Sequence, residues 1–335
     1  MLFDISIFDA VGIMFSHSLI IMLLLAVHSQ LRNPEPAGEV SILFWNLENF
    51  FDWKAGNGGE EFSSFGRRHW TKRKFEAKCN AVAKSLLWIA DNEGGLPAIV
   101  GVAEVENRFV LKKLLEDTAL KKSGYSIIHY DSPDPRGIDV ALLFRPSELT
   151  LLDSKPLHIP SLETRDILLA TFLTGSGDSL AVLVNHHPSK YGKDSEGKRV
   201  AALRRLRSAT DSLANEGFRN MVAMGDFNDT PDNPAFRILT DSNGGPGALE
   251  NLALQLWRKG IGSIRYSGKW ELIDLFFASE SLVSGGHLSP MIVIRIPFLS
   301  ARDNTHSGEK PFRTYNGPKY SGGVSDHRPV MIKIR

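Results

Sequence analysis

Two short motifs next to apolar runs carry side chains that could act on a phosphate. Ser325-Asp326-His327 precedes the apolar run at the C-terminus, and Gly225-Asp226-Phe227-Asn228 follows a predicted buried strand at residues 221–224. Asp226 and Asn228 are two residues apart, so an extended backbone would point them to the same side. Carboxylate, amide and imidazole groups at strand ends suit a hard metal ion and a phosphate.

Four other apolar runs have polar groups of the same kind at or near their ends. Asn46 and Glu48 follow residues 42–45, Glu104 follows residues 98–103, His186 follows residues 180–184, and Asp274 lies within residues 272–277. Together with the two motifs, these runs predict one common site where the ends of the strands converge.

In this order, the motifs resemble those of the endonuclease/exonuclease/phosphatase superfamily of deoxyribonuclease I-like, metal-dependent phosphoesterases. The resemblance covers the chain from about residue 40 to the C-terminus. It implies an α/β fold in which two mixed or antiparallel sheets pack face to face between outer helices, as a four-layer sandwich. The segments that carry it are Trp45-Asn46-Leu47-Glu48-Asn49, Val102-Ala103-Glu104-Val105-Glu106-Asn107, Gly137-Ile138-Asp139-Val140, Val184-Asn185-His186-His187-Pro188-Ser189-Lys190, Gly225-Asp226-Phe227-Asn228, Ile273-Asp274 and Ser325-Asp326-His327.

The resemblance also implies a Mg²⁺ site, which Mn²⁺ could occupy as well. Glu104 is expected to be the principal ligand, because a carboxylate that ends an apolar strand needs a partner or a cation. Asn46 is expected to orient Glu104 or to touch the metal. Glu48 stands where relatives carry an auxiliary acid, and Asp326 is expected to contact the metal or its water.

The expected catalytic groups lie around His327, which we predict to be the general base or the residue that orients the attacking water. An acid inside an apolar strand is costly unless it is paired, so Asp274 is either the partner of His327 or part of a structural ion pair. The resemblance favours the pairing with His327. It also implies that Asp226 and Asn228 face the scissile phosphate, and that His186 donates to a phosphate oxygen or to the leaving group.

Four further residues are candidates for contacts with the substrate phosphate: Ser189, Lys190, Arg136 and Arg165. His187 follows His186 directly and should point the other way in a strand, so at most one of the two histidines is expected to be catalytic.

The composition is that of an ordinary globular protein, with 335 residues, 42% hydrophobic residues and a formal net charge of +1. This charge is too small to indicate a nucleic-acid-binding protein by itself. Basic residues do cluster at positions 67–74 and 198–207, and the second cluster has the period of an amphipathic helix. Cys79 is the only cysteine, which excludes an intrachain disulfide and a cysteine metal site.

The N-terminal segment has the pattern of a secretory signal peptide, with an apolar stretch at residues 19–27 and a cleavage site after Ser29. The usual basic residues before the apolar stretch are absent, so Met14 is an alternative start and an uncleaved membrane anchor is an alternative interpretation. We therefore expect a signal peptide at residues 1–29, a linker at residues 30–39 and one phosphoesterase domain at residues 40–335.

Helices are predicted over residues 70–92, with Thr71 as N-cap, over residues 109–121 and over residues 193–215. Strands are predicted over residues 125–130, 139–144, 149–157, 167–173 and 180–184. Several strands follow one another directly, which indicates mixed or antiparallel sheets.

The sequence thus predicts an exported, Mg²⁺-dependent phosphoesterase, most simply a nuclease acting on extracellular nucleic acid. A phosphatase or phosphodiesterase acting on a phosphorylated lipid, inositol or sugar is the first alternative. A non-catalytic binding protein on the same fold is the second. We expect a monomer without an obligate protein partner.

Overall fold

The computed structural model describes residues 38–54, 60–192 and 194–335. The compact unit formed by these residues is Glu39–Arg335. The predicted signal peptide lies outside the described residues, as does most of the predicted linker. Within the described ranges, no helix is both long and apolar enough to cross a membrane.

The strands alternate with helices only in part, and several strands follow one another without a helix between them. In chain order the strands are β1 (Val40–Phe50), β2 (Ile99–Val105), β3 (Ser126–His129), β4 (Asp139–Phe144), β5 (Leu149–Leu157), β6 (Ile167–Thr174), β7 (Ser179–His186), β8 (Asn220–Asp226), β9 (Leu249–Asn251), β10 (Ile264–Tyr266), β11 (Lys269–Glu271), β12 (Asp274–Ser279), β13 (Ile292–Val293), β14 (Ser300–Arg302), β15 (Glu309–Pro311), β16 (Tyr315–Asn316), β17 (Lys319–Tyr320) and β18 (Val330–Ile334).

The described helices comprise two long α-helices, several short ones and a few 3₁₀ turns. The α-helices are α1 (Lys72–Glu93), α2 (Arg108–Glu116), α3 (Ser195–Asn215), α4 (Arg237–Thr240), α5 (Leu254–Arg258) and α6 (Glu280–Ser284). The 3₁₀ turns are Glu60–Phe62, Ala119–Lys122, Pro234–Phe236, Ser242–Gly244 and Pro297–Leu299.

Two six-stranded sheets form the centre of the fold, in the orders β13-β18-β1-β2-β4-β3 and β5-β6-β7-β8-β12-β9. Each sheet has one parallel pair, β1 with β2 and β7 with β8, and its other pairs are antiparallel. The predicted α/β class, with two mixed sheets flanked by helices, is confirmed. The arrangement agrees with the four-layer sandwich that the resemblance implies.

Alternation along β1 shows how the layers are held together. Ile42 and Phe44 pack into a core that includes residues of the second sheet, whereas Leu43 and Trp45 pack into a core that includes residues of α1 and α2. Successive side chains of a strand point to opposite faces, so one apolar strand serves both cores. β1 is therefore buried on both faces.

One helix begins at its predicted cap, and another ends earlier than predicted. Thr71 caps α1 as predicted, because its side chain accepts a hydrogen bond from the Lys74 amide. The helix predicted over residues 109–121 instead ends at Glu116. There, the Thr118 hydroxyl bonds to the Leu114 carbonyl and accepts from the Leu120 amide, which starts a separate 3₁₀ turn.

Candidate active site

The strand ends bring the acidic and imidazole groups together through their pairing. Asp226, the last residue of β8, lies opposite His186 in the parallel pair with β7 and opposite Asp274 in the antiparallel pair with β12. In the first sheet, Asn46 lies opposite Ala103, directly before Glu104. The predicted convergence of strand ends is thus present in the fold.

Asp274 and His327 form the shortest contact at the centre of this cluster. His327 Nδ1 lies 2.8 Å from Asp274 Oδ2, and both side chains are buried. Asp274 is the first residue of β12, so it faces the end of the sheet and does not lie inside the strand as the apolar run had suggested. Its Oδ1 has no hydrogen-bond partner among the described residues.

Carboxylate groups lie near both nitrogens of the His327 ring. Its Nε2 lies 3.9 Å from Asp226 Oδ2 and 3.8 Å from Asp326 Oδ1. Burial opposes protonation, but the charges of Asp274, Asp226 and Asp326 outweigh it and raise the pKa of His327 well above its ordinary value. The imidazole therefore favours its protonated form near neutral pH.

Asp226 is oriented by Asn46, because the Asn46 Nδ2 donates to Asp226 Oδ2 at 3.0 Å. The Asn46 Oδ1 accepts the Glu48 amide, so both ends of this amide are engaged. Asn46 was predicted to orient Glu104 or to touch the metal, and the contact seen in the structure is with Asp226. Burial above all, with the nearby Asp274, raises the pKa of Asp226 to about 7, against the opposing effect of His327.

Asn228 does not share a face with Asp226 as an extended backbone would require. Its φ is +52°, which turns the chain, and its Nδ2 donates to the His187 carbonyl at 3.0 Å. The Asn228 amide instead donates to Asp226 Oδ1 at 2.9 Å. Asn228 thus fixes the carboxylate of Asp226 through its backbone.

The two adjacent histidines point in different directions, as alternation predicts. His186 Nε2 lies 3.7 Å from Asp226 Oδ2 and 4.0 Å from Glu104 Oε1, whereas the His187 ring packs edge-on against Phe227. Burial first, and then the charges of Arg165 and Arg136, lowers the pKa of His186 well below its ordinary value. His186 is therefore a neutral donor or acceptor beside the acidic groups.

Four non-glycine residues around the site have left-handed backbone conformations. This conformation is unfavourable for residues with side chains and is retained where surrounding contacts enforce it. Among these contacts, Glu104 Oε2 accepts the Asn49 amide at 2.7 Å, which joins the ends of β1 and β2. The residues and their φ values are Glu48 (+46°), Asn49 (+50°), Glu104 (+60°) and Asn228 (+52°).

Arg313 joins Glu48, the expected auxiliary acid, to Asp326, the expected contact of the metal or its water. The Arg313 Nη2 lies 2.7 Å from Glu48 Oε1 and 2.9 Å from Asp326 Oδ2, and the Thr314 amide donates to Glu48 Oε2. Burial above all, with the nearby Asp326, raises the pKa of Glu48 to about 7. Both carboxylates are thus paired with the guanidinium group of Arg313.

Lys78 is a second cation that the sequence patterns did not reveal. It projects from α1 into the protein, where its Nζ donates to the Glu48 carbonyl and to Thr314 Oγ1. It therefore stabilises the turn at the end of β1. Its position among apolar residues on the buried face of α1 could have indicated a buried lysine.

The four candidate phosphate contacts divide between the site and other places. Arg136 lies at the site, with its Nη2 3.0 Å from Asn49 Oδ1 and 3.6 Å from Glu104 Oε1. Arg165 is buried and bonds to Asp134 and to the His187 carbonyl, each at 2.7 Å. Ser189 is exposed, and the exposed Lys190 pairs with Glu271 at 2.9 Å.

The oxygen ligands that this cluster offers fit a divalent cation. Carboxylate oxygens are the preferred ligands of hard cations, and Mg²⁺ needs only one or two of them together with water. Glu104 Oε1 lies beyond hydrogen-bond distance from Arg136 and His186, and Asp274 Oδ1 has no partner among the described residues. Carboxylate oxygens of Asp226 and Asp274 also lie within 4.8 Å of each other, whereas His327 favours its protonated form and is not counted as a ligand.

Comparison with known proteins supports the same class. The model of the Endonuclease/Exonuclease/phosphatase family matches residues 41–335. No curated protein matches the sequence at a significant level.

Solved structures with similar folds share only a low level of sequence identity with the chain. Danio rerio TDP2, solved in complex with a single-strand DNA product, is 15% identical, with 89% of this chain and 99% of that chain covered and a TM-score of 0.51. The human Nocturnin catalytic domain with bound sulfate is 17% identical over 89% and 94%, with a TM-score of 0.53. An endonuclease/exonuclease/phosphatase from Bacteroides vulgatus is 17% identical over 89% and 99%, with a TM-score of 0.55.

The chain belongs to the endonuclease/exonuclease/phosphatase family, because the family model matches residues 41–335, which include nearly all of both sheets. It is accordingly a metal-dependent hydrolase that acts on phosphate ester bonds.

Proposed function

We propose that the protein hydrolyses phosphodiester bonds of nucleic acid with Mg²⁺ as its metal ion, which Mn²⁺ can replace. The observation that carries this proposal is the buried cluster of Asp226, Asp274 and His327 where the strands of the second sheet end. A protein of the same fold holds a single-strand DNA product in its structure. This likeness supports nucleic acid as the substrate class.

Asp226 is the proposed general base that takes the proton from the attacking water. It accepts hydrogen bonds from Asn46 and from the Asn228 amide, which fix its orientation. Burial above all raises its pKa to about 7, so it can exchange a proton near neutral pH. This assignment differs from the expectation from the sequence, in which His327 was the general base or the residue that orients the attacking water.

His327 is the proposed cation that stabilises negative charge on the phosphate as water attacks. Asp274 fixes its Nδ1, which leaves Nε2 directed toward Asp226 and Asp326 and available to donate to a phosphate oxygen. A preorganised donor in a buried site needs little rearrangement when charge develops. His186, neutral and beside Asp226, is positioned to donate to another oxygen or to the leaving group.

Glu104 is the residue that would hold the metal ion, with Asn46 and Asp226 nearby. A divalent cation at this place supplies charge neutralisation at the phosphate oxygens. The exposed guanidinium of Arg136 stands beside Glu104 and would add a positive charge next to the substrate.

Export is part of the proposal and rests on the apolar stretch and the cleavage pattern after Ser29. The mature protein would then meet extracellular nucleic acid as a monomer. N-terminal analysis of the protein from its native host tests this. A chain that begins near Gln30 supports export, and a chain that begins at Met1 or Met14 and stays with the membrane contradicts cleavage.

The substrate is tested with purified protein against plasmid DNA, single-stranded DNA, RNA, sphingomyelin and a phosphorylated inositol, each with Mg²⁺, with Mn²⁺ and with a chelator. We expect metal-dependent turnover that is greatest on a nucleic acid. Turnover confined to the lipid or the inositol would contradict the proposed substrate class. Turnover that persists in the chelator would contradict the metal requirement.

A further inference from the structure

A cavity of about 200 Å³ opens directly beside the proposed active site. Glu48, Asn49 and Arg313 line it, and these residues hold the ends of β1 and β2 and the Asp326 carboxylate. Its other walls come from Phe62, Arg68, Thr314, Tyr315 and Gly317. A group bound in this cavity would therefore be attached close to the phosphate that is cleaved.

The walls of the cavity include two aromatic rings and a guanidinium group, which are flat. The Arg68 guanidinium lies 5.1 Å from the centre of the Tyr315 ring and 5.8 Å from that of Phe62, and the two rings meet edge to face at 6.3 Å. Arg68 is fixed in this position by Glu61 at 2.8 Å and by the Gly317 carbonyl. Planar groups that are already ordered offer stacking surface at little entropic cost.

The charges in the cavity disfavour a bare anion. Arg313 is already paired with Glu48 and Asp326, and Arg68 is already paired with Glu61. A free phosphate in the cavity would displace these carboxylates or be repelled by them. A neutral planar ring meets no such repulsion and can stack on the guanidinium and aromatic faces.

The basic cluster at residues 67–74 adjoins this cavity through Arg68 and Lys74. Lys74 Nζ lies 5.5 Å from the Tyr315 ring centre and 4.8 Å from that of Tyr320. Arg67 and Arg73, which adjoin Arg68 and Lys74 in the sequence, are exposed; 86% of the Arg67 side chain is exposed, and its Nη2 lies 3.9 Å from Glu61 Oε2. These cations are suited to the phosphates of a chain that continues past the site.

We propose that this cavity, which we call the base pocket (lined by Glu48, Phe62, Arg68, Arg313 and Tyr315), binds a nucleobase of a nucleotide next to the scissile phosphate. Arg67 and Arg73 then contact the phosphates that follow. This inference rests on the proposed function and makes it more specific. It predicts that contacts on one side of the site make the protein prefer polynucleotides to small diesters. Stacking on aromatic and guanidinium surfaces tolerates any base, so little sequence preference is expected.

The test uses single-stranded oligonucleotides that can be cleaved at one position only. The nucleotide next to that position either carries its base or is abasic. The comparison is made once for the 5′ neighbour and once for the 3′ neighbour. We expect the wild-type protein to favour the base-containing substrate on one side by about tenfold or more in kcat/KM, which is the scale of base stacking on aromatic side chains. In Arg68→Ala this advantage should fall to about twofold, because the guanidinium stacking face is removed. Phe62→Leu keeps an apolar wall without a flat face, and it should reduce the advantage as well.

The matched control is Arg204→Ala, which removes an exposed cation from α3 and should keep the wild-type advantage. Circular dichroism tests whether each variant is folded. If Arg68→Ala does not fold, Phe62→Leu alone tests the base pocket. An advantage that is absent in the wild type, or that persists in both pocket variants, overturns the base pocket while nuclease activity stands. A wild-type protein that cleaves no oligonucleotide at all overturns the proposed function itself.

The salt dependence of oligonucleotide binding tests the role of Arg67 and Arg73. Each phosphate of a single strand that a protein neutralises contributes roughly 0.7 to the steepness of log affinity against log salt. We therefore expect Arg67→Ala/Arg73→Ala to make this slope shallower by about 1.4 and Arg204→Ala to leave it unchanged. An equal slope in the double variant and the wild type would overturn the proposed binding of phosphates by Arg67 and Arg73.

Discussion

Replacing Asp274 by asparagine removes one charge from the centre of the cluster and leaves the size of the side chain unchanged. The Asp274 carboxylate is fully buried and holds His327 Nδ1 at 2.8 Å. Burial by itself opposes protonation of His327, and the carboxylates around it, Asp274 first, raise its pKa well above 6.5. Without Asp274, His327 should lose its proton at a lower pH.

The size of the effect follows from the burial of the pair. Breaking a buried charged pair costs about 3–5 kcal/mol, and about 1.36 kcal/mol corresponds to a factor of ten in rate. If this energy is available when charge develops on the phosphate, Asp274→Asn should lower kcat by roughly 10²–10⁴-fold. The KM should change less, because the pair does not lie in the base pocket.

The direction of the pH dependence follows from the raised pKa values of Asp226 and His327. Activity should rise with pH as Asp226, with its pKa of about 7, loses its proton. It should fall at higher pH as His327 loses the proton that its raised pKa retains. Asp274→Asn should move this falling limb to lower pH. The same raised pKa stabilises the folded protein below pH 6.5, and that stabilisation is lost as pH rises through the pKa of folded His327.

The assay is a double-mutant cycle of Asp274→Asn and His327→Ala, scored as turnover per folded molecule across a pH range. Residues that act as one unit give non-additive losses, so the double variant should be hardly slower than the worse single variant. Losses that multiply would refute the proposed cooperation. A stability loss in Asp274→Asn with normal turnover per folded molecule would show that Asp274 is structural only.

Two other variants test separate parts of the molecule. Glu104→Gln should abolish turnover at ordinary Mg²⁺ with near-normal folding and should weaken Mg²⁺ binding measured by calorimetry, because it removes the carboxylate proposed to hold the metal; full turnover at low Mg²⁺ would contradict this. Arg165→Met should lower the free energy of unfolding by about 3–5 kcal/mol, because it leaves the buried Asp134 without its 2.7 Å ion pair. Denaturant unfolding measures that loss, and unchanged stability would show that the pair contributes nothing.

Much of the fold could be predicted because its strands are apolar and end in polar residues. The strand at Asp139–Phe144 and the strand at Leu149–Leu157 have the predicted bounds, and the Thr71 cap marks the start of α1. The pairing of Asp274 with His327 followed from the cost of a buried acid together with the family resemblance. These features depend on local patterns, which a sequence displays directly.

Other parts of the site depend on backbone turns and on distant partners. Asn228 leaves the shared face because its φ is +52°, and no local pattern indicated a left-handed asparagine there. Arg313 joins Glu48 to Asp326 from a loop 265 positions after Glu48. An ion pair between such distant positions leaves no periodic signal, so Glu48 could not be distinguished from a metal ligand in advance.

The most direct test of the proposed mechanism measures single-turnover cleavage of one oligonucleotide by chelator-treated protein as Mg²⁺ is added back. The wild-type protein should regain activity with Mg²⁺, because the cation would neutralise charge at the phosphate oxygens while Asp226 accepts the proton of the attacking water. Asp226→Asn should remain folded and bind the oligonucleotide, yet cleave at least about 10²-fold more slowly at saturating Mg²⁺. Cleavage by Asp226→Asn at the wild-type rate, or wild-type cleavage that needs no divalent metal, would contradict the mechanism.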